Sequence, residues 1–240
     1  MMALGGRRKS SGGSTAVDAS TIRARQVNSA YHRHVASPSE LGNSTSRQLR
    51  NVSSMLVIPV GSTEQHGPHL PLDTDTRIAS AVEPAAVERL DGIAGLLMEY
   101  GRSAMTWVSR LVFVNGHGGN AAAMAAATGL LRSEGRDVGG VPCMTADADV
   151  HAGHTEPSVL LHMAPSDVRC DEFVPGNTAP LAESMPQLRR GGMAAVSAVG
   201  VLGDPTTATA SEGERIFAEM VEGCIGRIRR WRPDRNGMLT

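Results

Sequence analysis

The sequence predicts an α/β fold in which helices flank a central sheet, and three observations carry that expectation. Met55 to Val60 and Leu111 to Val114 are short apolar runs with β-branched residues, each leading into a polar, glycine-containing turn. A stretch with helical spacing of its apolar residues follows each of them, and Val141 to Ala146 begins the same pattern a third time. Strands that read as near-continuous apolar runs are those buried on both faces, which happens when helices cover a sheet from each side. At 240 residues the chain is long enough for one sizeable domain.

The head has a different composition from the body. Residues 1–50 hold eight Arg or Lys and two acids, net +6, which leaves −7 for residues 51–240. Residues 1–27 are rich in Gly, Ser and Arg without hydrophobic periodicity, so they are expected to form a disordered basic head, and 28–240 the folded domain. A transit peptide or a nucleic-acid-binding tail rests on composition alone, and no nucleic-acid partner is expected. His32 and His34 stand two apart, but with no carboxylate nearby they read as exposed histidines of an arm. No apolar run approaches the ~20 residues that a membrane helix needs, so a soluble, cytoplasmic protein with no membrane partner is expected. Cys143, Cys170 and Cys224 lie far apart with no CxxC pairing and read as buried, inert thiols.

The run Met55 to Val60 is expected to be the first strand. It delivers Glu64, His66, His69, Asp73 and Asp75 into a loop stiffened by Gly61, Gly67, Pro68 and Pro71. Carboxylates and neutral imidazoles are the usual ligands of zinc, manganese and iron, so five such groups within twelve positions point to a divalent metal site rather than a generic polar loop. Glu64 and His66 are two apart, which in extended chain turns both to one side and Gln65 to the other.

Thr76 to Leu90 has helical spacing of Ile78, Ala81, Val82, Ala85, Ala86 and Leu90. Ile93 to Arg110 reads as further helix, so two helices follow each other where an α/β chain should alternate. After the strand Leu111 to Val114 comes NGHGGN and an alanine-rich helix, Ala121 to Glu134, suited to close packing on a sheet. His117 then falls on the same sheet edge as the first loop, because ligands gather at the carboxyl ends of strands in such units. The motif lacks the lysine and spacing of a phosphate loop. The end of the third strand delivers Asp147, Asp149, His151, His154 and Glu156; their spacing implies different jobs, with His154 and His162 read as capping or packing residues. Pro157 marks the first turn of a helix. Residues 170–193 read as a long irregular loop, AAVSAVGVLGDPTTATA as a last strand and turn, and Ser211 as the cap of a C-terminal helix.

GSTEQHGPHLPLDTD, LVFVNGHGGN, HAGHTEPS and GVLGDPTTATA together resemble the creatininase, or creatinine amidohydrolase, family of metal-dependent amide hydrolases, in order from about Asn28 to the C-terminus. The resemblance implies a sheet-centred α/β sandwich, a homo-oligomer, and two divalent metal ions (Zn, Fe or Mn) at the strand ends. It makes Glu64, His66, Asp75 and His117 metal ligands, with Asp75 bridging, and His151 the proton shuttle. Creatininase has a glutamate ligand where this chain has Gly119, and Glu156 is the candidate substitute. NSAYHRH, EGERIFAEM and the ending GMLT are similar to a peptide-cleaving branch of the family, which implies a modified ribosomal peptide as substrate and release of its C-terminal unit made from Val and Tyr. Relatives carry a further strand and a loop with a serine, a histidine and a glycine-threonine turn where this chain has only the stretch between Leu90 and Leu111. Two other readings follow: an inactive or weakly active metal-binding relative with an incomplete pocket, or a hydrolase of a small cyclic amide. The 3% aromatic content disfavours the latter.

Overall fold

The computed structural model describes residues 54–90, 93–95, 108–146, 148–149 and 151–240. The expected disordered head 1–27 and the arm after it lie outside the described residues. Among the described residues four parallel strands form one sheet in the order β2-β1-β3-β4: β1 is Ser54–Val60, β2 Ile93–Gly95, β3 Val108–Asn115 and β4 Val138–Pro142. Among the described residues five α-helices surround it: α1 Thr74–Val87, α2 Ala121–Ser133, α3 Thr155–Met163, α4 Leu181–Gly191 and α5 Ala210–Arg230.

Side chains alternate across a strand, and the two faces of the sheet accordingly bury different sets. Val57, Val112, Val114 and Val141 join Ile78 and Val82 of α1, Leu160 of α3 and Ile225 and Ile228 of α5 in the main core. Leu56, Ile58, Leu111 and Val138 face the other way and form a smaller cluster with Leu131 of α2 against it. This two-sided burial is why both central strands are apolar almost throughout. The expectation of a closely packed alanine helix holds only on one stripe of α2, where Met124 and Thr128 are its buried residues. On the outer edge of β4, Gly140 N–H donates to Gly237 O and the Gly140 carbonyl accepts in return from Leu239 N–H, so the C-terminal GMLT covers that edge.

Helix α5 crosses α3 with no room to spare. A Cβ placed on Gly213 would lie 1.8 Å from the Ser158 carbonyl oxygen. Gly213→Ala is therefore expected to force the two helices apart and destabilise the chain by about 2–3 kcal/mol, read as a lower urea midpoint with the slope unchanged.

Six expectations are corrected. The helix over Ile93 to Arg110 and the lack of a strand there give way to β2 and to an early start of β3. Ile93, Ala94 and Gly95 pair with Met55, Leu56 and Val57, because ladder bonds to the open side of β1 outweigh a helical spacing that has no tertiary partner; residues 96–107 lie outside the described residues. The third strand starts at Val138 and ends at Pro142, in register with Leu111 to Asn115. Residues 170–193 contain α4, whose Pro186 stands on an exposed side of the helix. The last strand is reduced to one bridge, Leu202 N–H to His151 O at 2.8 Å. The cap of α5 is Thr209, whose hydroxyl accepts from Glu212 N–H at 3.1 Å, not Ser211. Cys170 is also exposed rather than buried, while Cys143 and Cys224 are in the core, where burial raises both thiols, Cys224 to about 12.

Candidate metal centre

The carboxyl ends of β1, β3 and β4 converge, and the first turns of α1 and α3 point at the same place. Glu64 and His66 arrive on the loop after β1, Asp75 in the first turn of α1, His117 just after β3, His151 after β4, and Glu156 in the first turn of α3. Asp75 is expected from the sequence in a loop, yet it is helical and 1% exposed. The NGHGGN turn folds on itself to make room. Asn115 Oδ1 accepts from His117 N–H at 3.2 Å, and Asn120 Nδ2 donates to Gly61 O at 3.0 Å, tying this loop to the loop after β1. Gly116 N–H donates to Val60 O at 2.8 Å. With these amides engaged internally, the turn is not a phosphate cradle. Gly116 is needed for the close approach of α1, since a Cβ there would lie 2.5 Å from the Asp75 carbonyl oxygen.

Asp75 divides its two oxygens between two groups. Oδ2 lies 2.9 Å from His117 Nδ1, which is also 2.9 Å from Glu64 Oε1. Oδ1 lies 3.2 Å from His66 Nε2, which is 3.8 Å from Glu156 Oε2. Two triads thus share Asp75, Glu64–Asp75–His117 and His66–Asp75–Glu156, each with its potential ligand atoms within 4.8 Å of one another. A third triad of the same size, Glu64–His66–His151, overlaps both. Glu64 and His117 keep 31% and 20% of their side chains exposed, whereas His66 and Asp75 keep almost none, so the site opens to solvent over the first triad.

The electrostatics are those of a cluster short of positive charge. Burial, with the charge of Asp75, pushes Glu156 up to about 7 although His66 pulls it down. Burial also raises Glu64, opposed by His117. Burial works against protonation of His66, but its hydrogen bond to Asp75, the charges of Glu156 and Asp75 and the Glu64 carbonyl together raise it. Asp75 Oδ2 is buried and accepts no hydrogen bond among the described residues, although His117 Nδ1 is near. Three carboxylates, three imidazoles and an orphaned carboxylate oxygen are a donor set that divalent ions such as zinc, iron or manganese fit.

The imidazoles are oriented from behind. His66 Nδ1 is 3.2 Å from the Glu64 carbonyl oxygen, a contact that directs Nε2 toward Asp75 and Glu156. His151 Nε2 lies 2.7 Å from the Gln65 carbonyl oxygen and 3.0 Å from Gln65 Nε2, which leaves Nδ1 facing Glu64 Oε1 at 3.6 Å. Its ring is stacked on His66, with centroids 4.6 Å apart. Burial and the neighbouring His66 lower His151 to about 4, so it stands neutral with a free nitrogen toward the cluster. Gln65 thus belongs to the site, whereas alternation along an extended loop turns it away; the signal was its contact with His151, 86 residues on. His154 is outside the cluster, bonded to Thr207 Oγ1 at 2.9 Å, and His162 packs near Phe217, as read from the sequence. Asp73 accepts from Arg77 at 2.7 Å and belongs to neither triad. Asp149 accepts from the backbone N–H groups of His154 and Thr155 and so caps α3 rather than joining the cluster.

A Cβ on Gly119 would stand 2.2 Å from His117 Nε2, so in this chain the imidazole occupies the space over that position. Glu156 meanwhile reaches the same cluster from α3.

Comparisons with known proteins identify the family. The family model described as creatinine amidohydrolase matches residues 40–95 and 89–228. The chain is 62% identical over 247 residues to the "Mycofactocin precursor peptide peptidase" of Mycolicibacterium smegmatis, covering 89% of this chain and 100% of the relative. It is 52% identical over 251 residues to the protein of that name in Mycobacterium tuberculosis, with the same coverage. The fold matches a crystal structure of creatinine amidohydrolase (creatininase) with a TM-score of 0.65 at 22% identity, over 82% of this chain and 99% of that one. A second structure, described as "Creatininase Mn", gives the same TM-score, identity and coverage. With its family model spanning most of the sequence and relatives this similar along their whole length, the chain belongs to the creatininase family of hydrolytic enzymes.

Proposed function

We propose that this chain is a metal-dependent amide hydrolase that cleaves the mycofactocin precursor peptide, releasing the modified C-terminal unit made from Val and Tyr. The observation that carries the reading is the division of Asp75 between two triads, which is the arrangement a carboxylate bridging two ions requires. Glu64 and His117 would hold one ion with Asp75 Oδ2, and His66 and Glu156 the other with Oδ1. Ions held there would supply a water of lowered pKa and Lewis-acid polarisation of an amide carbonyl. His151 supplies the proton traffic: Nε2–H is committed to the Gln65 carbonyl, and the bare Nδ1 takes a proton at the cluster and returns it to the departing amine nitrogen as the C–N bond breaks. A neutral imidazole is required for the first half of that cycle, and burial keeps it neutral.

A peptide is favoured over a small cyclic amide because relatives at 52–62% identity are named for a precursor peptide, whereas the creatininase structures stand at 22%. A homo-oligomer and a cytoplasmic location belong to the same reading, supported by the family resemblance; among the described residues no helix is long and apolar enough to cross a membrane. The test is metal content of the purified full chain by mass spectrometry, followed by cleavage of the modified precursor peptide after each metal is restored. Two equivalents and a released dipeptide unit are expected; a chain that takes up metal and cleaves creatinine instead overturns the substrate assignment.

One observation favours weak activity. The alignment with the Mycolicibacterium relative runs over 247 positions but draws on 89% of this chain's 240 residues, so roughly thirty positions of the relative face no residue here. The two family-model matches meet at residues 89–95, which supports a shortfall beside β2.

Glu156 also sets a pH dependence in the metal-free chain. Its folded pKa is raised from 4.5 to about 7, so the stability linked to its proton is present below the ordinary carboxyl range and is lost as pH rises through 7. Glu156→Gln should match the wild type near pH 4. Above pH 7, metal-free, it should be more stable by on the order of 2–3 kcal/mol. Urea unfolding of chelator-treated protein at the two pH values measures this, and equal stability at pH 8 would contradict the buried-charge account.

A further inference from the structure

His69 is the remaining histidine of the first loop, and the two-ion arrangement leaves it without a role. It belongs to none of the three triads. Its ring is 1% exposed, and Nε2 lies 2.9 Å from the carbonyl oxygen of Ala152, 83 residues away. A carbonyl only accepts, so Nε2 carries the hydrogen and Nδ1 is bare; Nδ1 is buried with no partner among the described residues. The ring is gripped on its faces instead. Phe173 meets it edge-on at 5.1 Å and 88°, and a Cβ on Gly67, whose φ is 63°, would lie 3.0 Å from its Cε1. Arg169 N–H fixes the His69 backbone by donating to its carbonyl at 3.0 Å.

The residue at the far end of this bond is unusual. Ala152 has φ 52°, one of two non-glycine residues with positive φ among those described, and it is fully buried. A left-handed alanine costs energy and persists only where its surroundings hold it. Ala152 directly follows His151, and its N–H donates to Glu156 Oε2 at 2.7 Å. The single turn at Ala152 therefore aims the His151 ring at Glu64 and His66 and presents the Glu156 carboxylate to His66.

We propose that His69 is a positioning residue: by donating Nε2–H to the Ala152 carbonyl it holds that left-handed turn, and so sets the geometry of the second metal position, His66–Asp75–Glu156, and of the His151 proton carrier. The inference rests on the two-ion reading above. Neutrality of His69 suits the job, since burial lowers its pKa and a single fixed donor is what the carbonyl needs.

The test uses the full chain stripped of metal and titrated with zinc or manganese, with kcat and KM for peptide cleavage measured on the reloaded protein. His69→Leu removes the donor at similar volume. It is expected to weaken one of two metal equivalents by ~10–100-fold, the same equivalent that Glu156→Gln weakens, and to lower kcat with KM unchanged. His69→Gln places an amide N–H near the position of Nε2 and should keep both affinities. The double variant His69→Leu, Ala152→Gly should recover most of the lost affinity, because glycine adopts the left-handed turn without a Cβ to hold in place. A general loss of packing would not be repaired at a site so far along the chain. Unchanged metal affinities in His69→Leu, or a double variant no better than the single one, overturn the proposal. Should His69→Leu not fold, the Gln variant decides: a weakened second equivalent there counts against the hydrogen bond. A wild-type chain that takes up one equivalent or none overturns the two-ion reading itself, which separates that failure from the failure of the role given to His69.

Discussion

Asp75→Ala is expected to empty the site of both ions and lower amide hydrolysis by on the order of 10⁴-fold or more, since the nucleophile at neutral pH depends on metal-bound water. Asp75 is the residue common to the Glu64–Asp75–His117 and His66–Asp75–Glu156 triads. Its Oδ1 faces His66 and its Oδ2 faces His117, so one truncation removes an oxygen from each triad. Nothing else in the first turn of α1 offers a carboxylate in its place. His154→Ala is the matched control. Its ring bonds the Thr207 hydroxyl, outside the cluster, and metal content should stay at the wild-type level. Mass spectrometry of the metal content distinguishes the two, and full occupancy in Asp75→Ala would show the candidate ligands to be misassigned.

Replacing the chain between Gly95 and Val108 by the longer segment of the Mycolicibacterium relative is expected to raise peptide cleavage by about 10²-fold, the scale of a loss in substrate positioning. All six cluster residues lie outside that stretch, so metal uptake should be the same before and after the graft. Metal binding and alignment of the peptide are expected to be separable in this fold: the candidate ligands stand at the ends of β1, β3 and β4 and on α1 and α3, whereas the two family-model matches meet at residues 89–95, beside β2, an edge strand among the described residues. Among the described residues β2 pairs with β1 through three residues, and a longer partner there would also protect more of the β1 edge. The graft should therefore raise the melting temperature together with the rate. A native chain that already cleaves the modified peptide as fast as the grafted one would show the segment to be dispensable.

Much of this protein was settled by its sequence alone. Apolar runs at Met55 to Val60 and Leu111 to Val114 had to be strands buried on both faces, and Glu64, His66 and His117 had to emerge at their carboxyl ends, because strand direction and the glycine and proline turns after them are local properties. The resemblance of four motifs to the creatininase family was also legible there, and the family match bears it out. Local spacing could not assign Ile93 to Gly95, since three residues have no periodicity of their own and become a strand only beside Met55 to Val57. Nor could it rank Ser211 against Thr209 as the cap of α5, a matter of which hydroxyl meets the free Glu212 amide. The centre itself was decided by packing over long separations. Asp75 stands between two triads because α1 starts where Gly61 and Gly116 let it approach both strand ends, and a Cβ at either would strike Thr76 or Asp75. Glu156 reaches His66 from 90 residues away, and His69 reaches Ala152 from 83, only because α1, α3 and α5 share one core on the same face of the sheet. Residue type determines which groups can bind a metal; the close packing of helices on the sheet determines which of them meet, since potential ligand atoms must fall within a few ångströms of a common point and only the folded core fixes distances that small.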